Sequence, residues 1–202
     1  MQLSDAAHQI VEAGRYLDAR GWAPATAGNY SVRLGGGRVA ITVSGRHKGR
    51  LTADDVMVID EEGRPDDSRV PSAEAPLHTS LYQLDSSVGA ILHTHSMQST
   101  VIGLLRGSEA AVHLEGYELL KAFPGIETHE ATVTVPVFEN TQDMPLLAKR
   151  VAETWRALPC VGYLIRGHGL YTWGPTMERA LRSVEALEFL FACELERRKL
   201  GS

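Results

Sequence analysis

Three histidines in two short segments are the residues of this sequence best suited to chemistry. His93 and His95 flank one threonine at the end of a β-prone run, residues 88–95. Because side chains alternate across a strand, both imidazoles would project from the same face and could reach one metal ion. His168 stands between two glycines after a second β-prone run, where the backbone can turn sharply and bring a third imidazole close. Three histidines with an open fourth position are typical of a catalytic zinc site.

Two glutamates are candidate acid/base groups, and each also has an ordinary structural explanation. Glu74 begins a predicted helix before the His-Thr-His strand, where a carboxylate complements the helix dipole. Glu118 precedes Lys121 by three residues, which is the spacing of a common helix-surface pair. The three histidines also have an alternative, as structural polar residues at strand ends. Their combination at two strand ends favours the metal site, whereas the roles of the glutamates stay open.

Glycine and hydroxyl residues supply donors that suit an anion. Gly28-Asn29 and Ser44-Gly45, with Ser72 before a helix, offer backbone N–H and hydroxyl groups, and Lys48 is near in sequence. Each segment is also an ordinary turn, and none matches a P-loop or a dinucleotide-binding glycine motif. The other five histidines are interpreted as background surface or core residues: His8, His47, His78, His113 and His129.

Helices and strands alternate along the chain and must position these side chains. Apolar spacing predicts a first helix from Ser4 to a stop at Gly21, followed by a hairpin around three consecutive glycines. Ser96 is expected to cap a helix directly after the His-Thr-His strand, and Pro175 to lie in the first turn of a long final helix. Further strands are predicted at residues 56–60, 132–138 and 161–165, and further helices after Ser72 and around residues 147–158. The pattern favours a single α/β layered domain over residues 1–202, with one mixed central β-sheet flanked by helices.

Composition excludes several classes of protein. Of the 202 residues, 44% are hydrophobic and 22% charged, which suits one ordinary core. No apolar run approaches the roughly 20 residues of a membrane span, and no secretory pattern opens the chain, so we expect a cytoplasmic protein without a membrane partner. A net charge of −5 without a basic patch argues against nucleic acid as a partner. Cys160 and Cys193 are interpreted as buried thiols in a reducing compartment.

The chain resembles the class II aldolase/adducin-head family over nearly its whole length. The resemblance is carried by the combination of Thr26-Ala27-Gly28-Asn29-Tyr30-Ser31, Ser44-Gly45, Pro71-Ser72-Ala73-Glu74, His93-Thr94-His95 and Arg166-Gly167-His168-Gly169. Three further segments resemble the sugar-phosphate dehydratases within that family: Glu115-Gly116-Tyr117-Glu118-Leu119-Leu120-Lys121, Pro136-Val137-Phe138-Glu139-Asn140-Thr141 and Gly167-His168-Gly169-Leu170-Tyr171-Thr172-Trp173-Gly174. The resemblance therefore implies a layered class II aldolase-like fold and a lyase that removes water.

The resemblance also implies a role for each candidate residue. It implies one zinc ion per subunit, held by His93, His95 and His168, and Glu118 as the catalytic acid/base. The sugar-phosphate aldolases of the family carry a glutamate at the position of Glu74, which is the alternative acid/base. The implied substrate-binding residues, mainly around the phosphate, are Asn29, Ser44, Gly45 and Ser72, with Lys48 and Lys121 as further candidates. Family members are typically homotetramers with the site near a subunit boundary.

Two other functions stay open beside dehydration. One is an aldolase that cleaves a carbon–carbon bond of a sugar phosphate with the same metal ligands. The other is a non-catalytic adducin-head-like interaction module, which is expected to lack the metal-binding histidines. Some dehydratases carry a His-Gln pair before their Glu-x-x-Lys, where this chain has Gly116-Tyr117, so any role of that histidine is absent here or is filled elsewhere, for instance by His113 or His129.

Overall fold

Helices and strands alternate from end to end of the chain, as its apolar patterning predicts. The computed structural model describes residues 1–105, 110–158 and 160–201. The α-helices in these ranges are α1 (Leu3–Ala19), α2 (Ala75–Leu84), α3 (Met97–Ile102), α4 (Met144–Ala157) and α5 (Met177–Lys199). The strands are β1 (Asn29–Gly35), β2 (Arg38–Thr42), β3 (Val56–Asp60), β4 (Ala90–Thr94), β5 (Ala111–Glu115), β6 (Thr132–Phe138), β7 (Gly162–Ile165) and β8 (Gly169–Gly174). None of the described helices is long and apolar enough to cross a membrane.

The strands form one sheet in the order β3-β2-β1-β4-β8-β7-β6-β5. Strands β6 and β7 are parallel and the other neighbours are antiparallel, so the sheet is mixed, as predicted. The predicted glycine turn joins β1 to β2, and all three of its glycines have positive φ. Glycine adopts this left-handed conformation without the steric cost that a side chain would bring. The topology places β4 and β8, which carry or adjoin the three candidate histidines, side by side near the centre of the sheet.

Helices cover both faces of the sheet. The apolar sides of α2 and α4 pack on one face, with Ile91 of β4 among the residues that they bury. Helices α1 and α5 pack on the opposite face, where the next residue, Leu92, joins their core. Because strand side chains alternate, His93 lies on the same face as Ile91, beneath α2. The alternation of side chains along β4 therefore places His93, the first candidate metal ligand, against α2.

Several predicted boundaries differ from the structure. Gln2 is the N-cap of α1, not Ser4, and Thr176 caps α5, so Pro175 lies before that helix rather than in its first turn. Ser96 caps α3 as predicted, since its Oγ accepts a hydrogen bond from Ser99 N over 2.9 Å. Strands β5 and β8 have no counterpart in the sequence prediction. Cys160 and Cys193 are free but only partly buried, so the expectation of two buried thiols was wrong.

Candidate metal centre

The structure brings His93, His95 and His168 together in one cluster. His93 Nε2 lies 2.7 Å from His95 Nε2 and 3.3 Å from His168 Nε2. Candidate ligand atoms of the three residues all lie within 4.8 Å of one another. Imidazole nitrogens that share a tetrahedral zinc ion, each about 2.0–2.1 Å from it, are about 3.3 Å apart. The three side chains therefore form a possible metal site.

Local backbone geometry explains why two distant segments meet here. His93 is within β4, and His95 follows its last residue, with one threonine between them. His168 lies in the tight turn between β7 and β8, where Gly167 has a φ of +63°. A side chain at Gly169 would collide with the carbonyl oxygen of Thr94, so only glycine lets this turn approach β4. The two flanking glycines therefore allow the sharp turn and the close approach of the imidazole that the sequence predicts.

A row of side chains across four strands holds the His93 ring. The strand register pairs Asn29 with His93, His93 with Tyr171, and Tyr171 with Tyr163. The His93 ring stacks on Tyr171 with centroids 4.0 Å apart, and Tyr171 stacks on Tyr163 at 4.9 Å. His93 Nδ1 lies 3.0 Å from the carbonyl oxygen of Leu170 and donates its proton there. This bond leaves the Nε2 lone pair directed at the other histidines, as metal ligation requires.

Burial keeps the imidazoles in their metal-binding state. Desolvation lowers the pKa of His95 to about 4, with smaller electrostatic contributions from His168 and Lys48. Desolvation, followed by the other two histidines, holds the pKa of His93 well below its ordinary value. Both rings are consequently neutral at pH 7, and a neutral imidazole is the form that binds a metal ion. The donor set therefore fits a divalent transition metal in chemistry as well as spacing.

Glu74 faces the histidines rather than capping its helix. The residue is the N-cap of α2, but its side chain makes no capping hydrogen bond. Its Oε2 lies 3.4 Å from His93 Nε2, and its Oε1 lies 3.3 Å from His168 Nε2. Asn29 Nδ2 donates to Glu74 Oε2 over 2.7 Å and to Ser72 Oγ over 3.2 Å. The structure thus places a carboxylate at the edge of the candidate metal site.

The predicted phosphate-binding segments meet beside Glu74. An isolated β-bridge pairs Val43 with Pro71, and Ser44 N donates to the carbonyl oxygen of Val70 over 3.1 Å. These contacts set the exposed Ser44-Gly45 turn next to Ser72, which Asn29 already contacts. These contacts therefore bring the segments that carry the four residues implied for phosphate close to one another in the fold.

Lys48 is buried close to this region. Its Nζ donates to the carbonyl oxygens of Thr26, over 2.8 Å, and Arg46, over 2.6 Å. An ammonium group has three donors, so these two bonds do not exhaust it. Burial lowers the pKa of Lys48 to about 8, which leaves the group mostly protonated at pH 7. Lys48 therefore adds positive charge to the region that would receive the phosphate.

Glu118 and Lys121 occupy a different environment. They belong to a short 3-10 helix, Glu118–Ala122, and form an ion pair there. The Glu118 side chain is 70% exposed, and its Oε2 lies 3.9 Å from His129 Nδ1. The bond with Lys121 lowers the pKa of Glu118, which is ionised at neutral pH. Among the hydrogen bonds and ion pairs of residues 1–105, 110–158 and 160–201, none joins Glu118 to the three histidines.

Comparisons with known proteins identify the family. The family model of the class II aldolase and adducin N-terminal domain matches residues 8–195. The chain belongs to this family. Among solved structures, the fold is similar to that of L-fuculose-1-phosphate aldolase from Thermus thermophilus, with a TM-score of 0.79 and 26% identity over 100% of both chains. A second L-fuculose 1-phosphate aldolase matches with a TM-score of 0.82 and 24% identity over 98% of this chain and 89% of its own.

Curated relatives are more similar in sequence than these aldolases. A methylthioribulose-1-phosphate dehydratase from Marinobacter nauticus is 58% identical, over 95% of this chain and 93% of the relative. The enzyme of the same name from Azotobacter vinelandii is 55% identical, over 95% of this chain and 94% of the relative. Within the class II aldolase family, the chain is therefore similar over nearly its full length to proteins that carry the name of a dehydratase.

Sequence reasoning missed His78, which it assigned to the background. The residue is fully buried beneath this centre, with its Nε2 2.5 Å from Asn29 Oδ1 and its Nδ1 2.7 Å from Ser31 Oγ. The available signal was the spacing of four between Glu74 and His78 on a predicted helix, together with a spacing of two between Asn29 and Ser31 where the first predicted strand begins. Both spacings place side chains on one face of their element.

A second overlooked residue, Glu188 of α5, lies behind the turn that carries His95. Ser96 Oγ donates to Glu188 Oε2 over 2.5 Å, and Thr94 Oγ1 donates to Oε1 over 3.5 Å. The Glu188 side chain is almost completely buried, and desolvation raises its pKa to about 7, against an ordinary value of 4.5. Ionisation of the Glu188 carboxyl group therefore lowers the stability of the folded protein.

Glu188→Gln is expected to stabilise the protein at pH 8 but not at pH 4.5. Between pH 4.5 and 7 the folded state retains a proton that the unfolded chain has released, so stability falls as the pH rises. The shift corresponds to about 3 kcal/mol in total, and glutamine removes this dependence while still accepting a hydrogen bond from Ser96. Urea unfolding across this pH range measures the difference. Glu185→Gln, at an exposed position of α5, is the control, and a pH-independent difference for Glu188→Gln would contradict the assignment.

Proposed function

We propose that this protein dehydrates 5-methylthioribulose 1-phosphate to 2,3-diketo-5-methylthiopentyl 1-phosphate, a hydro-lyase reaction of L-methionine salvage. The observation that carries the proposal is the identity of 51–58% to curated methylthioribulose-1-phosphate dehydratases, over at least 92% of each relative. The clustered histidines add support, because a non-catalytic module of the same fold would not need them. The substrate class, a sugar phosphate, also agrees with the aldolases of similar fold.

The metal that suits the site best is zinc, at one ion per subunit. His93, His95 and His168 would hold it, since they offer three converging nitrogens, two of which have depressed pKa values. Bound there, zinc would act as a Lewis acid that polarises the C2 carbonyl of the substrate and makes the C3 proton removable. Three protein ligands leave the fourth position for substrate, as in catalytic rather than structural zinc sites.

The chain's own residues would bind the phosphate and move the protons. Asn29, Ser44, Gly45 and Ser72 would bind the phosphate, which the contact between Asn29 and Ser72 supports, and Lys48 would supply positive charge. In the proposed reaction, a Glu118 oxygen takes the proton from C3 and later protonates the C4 hydroxyl, which leaves as water. Lys121 would keep Glu118 ionised and orient it through their ion pair.

The exposure of Glu118 links its proposed role to assembly. In the single chain Glu118 contacts Lys121 and His129, not the histidine cluster. We therefore propose that Glu118 acts as the acid/base in a cytoplasmic homotetramer, in which the active site lies near a subunit boundary. Burial of the exposed 3-10 helix at such a boundary would bring its carboxylate out of bulk water, where proton transfer to substrate is more effective.

A sugar-phosphate aldolase is the second candidate, and the position of Glu74 favours it. Glu74 is the carboxylate that faces His93 and His168 in the single chain. An aldolase would cleave the C3–C4 bond of the same substrate and release dihydroxyacetone phosphate with a methylthio aldehyde. The two reactions share the metal ligands, so the products must distinguish them.

Mass spectrometry of 5-methylthioribulose 1-phosphate after incubation with the zinc-loaded protein tests the proposed function. We expect a product lighter than the substrate by one water molecule, formed in proportion to protein concentration. Protein stripped of metal with a chelator serves as the control and should leave the substrate unchanged. Dihydroxyacetone phosphate would establish the aldolase instead, and unchanged substrate with metal-loaded protein would refute both activities on this compound.

A further inference from the structure

Helix α2 and strand β1 present two matching rows of polar side chains. Glu74, His78 and Tyr82 lie four residues apart along the helix, and Asn29 and Ser31 lie two residues apart on the strand. Four helical residues rise about 6 Å and two strand residues about 6.6 Å, so the two rows stay in step. Each side chain of one row therefore meets a partner in the other.

Hydrogen bonds join the two rows into one buried chain. Tyr82 Oη lies 2.9 Å from Ser31 Oγ, which lies 2.7 Å from His78 Nδ1. His78 Nε2 lies 2.5 Å from Asn29 Oδ1, and Asn29 Nδ2 lies 2.7 Å from Glu74 Oε2. The first four of these residues are buried, and the chain ends at the carboxylate that faces the metal ligands.

The direction of every bond follows from the Asn29 amide. Its nitrogen, which only donates, faces Glu74 Oε2 and Ser72 Oγ, so its oxygen, which only accepts, faces the other way. Asn29 Oδ1 then faces His78, whose Nε2 must carry the proton. A neutral imidazole with a proton on Nε2 accepts at Nδ1, so Ser31 donates to His78 and Tyr82 donates to Ser31.

We propose that His78 is a positioning residue, which holds the Asn29 amide in one orientation and through it the Glu74 carboxylate at the metal site. Without the Nε2 proton of His78, Asn29 Oδ1 would lose its donor, and the Asn29 amide would be oriented only through its nitrogen. An amide that turned over would place its oxygen against the Glu74 carboxylate, and two acceptors at 2.7 Å repel each other. Glu74 would leave its place beside His93 and His168, and Ser72 would lose its partner in Asn29.

The proposal rests on the proposed function only for its kinetic test. His78→Gln and His78→Asn form a matched pair, because the glutamine amide reaches the place of Nε2 and the shorter asparagine amide reaches only that of Nδ1. His78→Gln retains a donor to Asn29 and is expected to keep kcat/KM within about fivefold of the wild type. His78→Asn lacks that donor and is expected to lower kcat/KM about 10- to 100-fold.

A double-mutant cycle separates positioning from core packing. If His78 acts through Asn29, the difference between His78→Gln and His78→Asn should shrink to less than about twofold in an Asn29→Ala background. A purely structural effect of the shorter side chain would persist in that background. Equal activity of the two His78 variants, or an unchanged difference in Asn29→Ala, would overturn the proposal.

A measurement on the unmodified protein keeps the proposal testable without activity. Nitrogen-15 spectra of histidine-labelled protein should show His78 at pH 7 as a neutral ring with its proton on Nε2. A signal of the Nδ1-protonated or doubly protonated ring would overturn the proposal, whether or not the variants fold. If the wild type leaves 5-methylthioribulose 1-phosphate unchanged, the proposed function fails, and the tautomer of His78 still decides the positioning role.

Discussion

Replacing His95 with alanine is expected to remove the bound metal and to lower kcat/KM by about 10³-fold or more. Two imidazoles would remain, and the lost ligand is one whose pKa of about 4 makes it a ready donor at neutral pH. Lewis-acid stabilisation of developing charge is worth several kcal/mol, and each 1.4 kcal/mol corresponds to about tenfold in rate. Elemental analysis of the dialysed protein and the rate of loss of 5-methylthioribulose 1-phosphate measure the two effects.

His8→Ala is the matched control for this variant. His8 is an exposed histidine of α1, and no described metal cluster includes it. The control should keep about one metal ion per chain and wild-type activity. Full metal content in His95→Ala, or full activity, would show that the functional metal is not held by the cluster of His93, His95 and His168.

The parts of this centre that depend on short-range geometry could be predicted from sequence. The common face of His93 and His95 follows from strand alternation, and the Gly-His-Gly turn follows from the freedom of glycine. The helix after Ser96 follows from its capping hydroxyl, which the structure confirms. None of these inferences requires knowledge of any residue more than a few positions away.

The parts that depend on strand register and on helix docking could not be predicted in the same way. Asn29 lies opposite His93, and His93 opposite Tyr171, only because the whole sheet selects those pairings. The same applies to Glu74 and His78, whose roles depend on how α2 lies over β1. The roles of a carboxylate at a helix start and of a lone histidine become clear only when the element that packs against the helix is known.

Glu118 shows a different limit of prediction from sequence. Its local structure is the surface ion pair with Lys121 that the three-residue spacing already indicates, and this structure does not reveal a catalytic role. Glu118 forms the expected pair with Lys121 on an exposed 3-10 helix. The resemblance to the dehydratases, carried by residues 115–121, is what singles it out. His129 lies closer to Glu118 than the alternative candidate His113, which instead hydrogen-bonds Thr134.

Replacing Glu118 with glutamine is expected to lower kcat by about 10²- to 10⁴-fold while leaving the metal content unchanged. A positioned acid/base contributes that much to a proton transfer, and glutamine keeps the size of the side chain but cannot take a proton. Glu118 is not among the clustered metal ligands, so metal binding should not change. Turnover measured by mass spectrometry and metal content by elemental analysis give the two results. Glu127→Gln, at an exposed position nearby, is the control.

Exchange of the C3 hydrogen with deuterated water separates Glu118 from Glu74, because exchange requires the group that removes this proton. If Glu118 is the base, Glu118→Gln loses C3 exchange as well as turnover, whereas Glu74→Gln retains exchange even where turnover falls. Glu74 touches both His93 and His168, so its variant is also expected to weaken metal binding in a way that Glu118→Gln does not. Retained exchange in Glu118→Gln together with its loss in metal-loaded Glu74→Gln would transfer the acid/base role to Glu74, the carboxylate that the single chain already places at the metal centre.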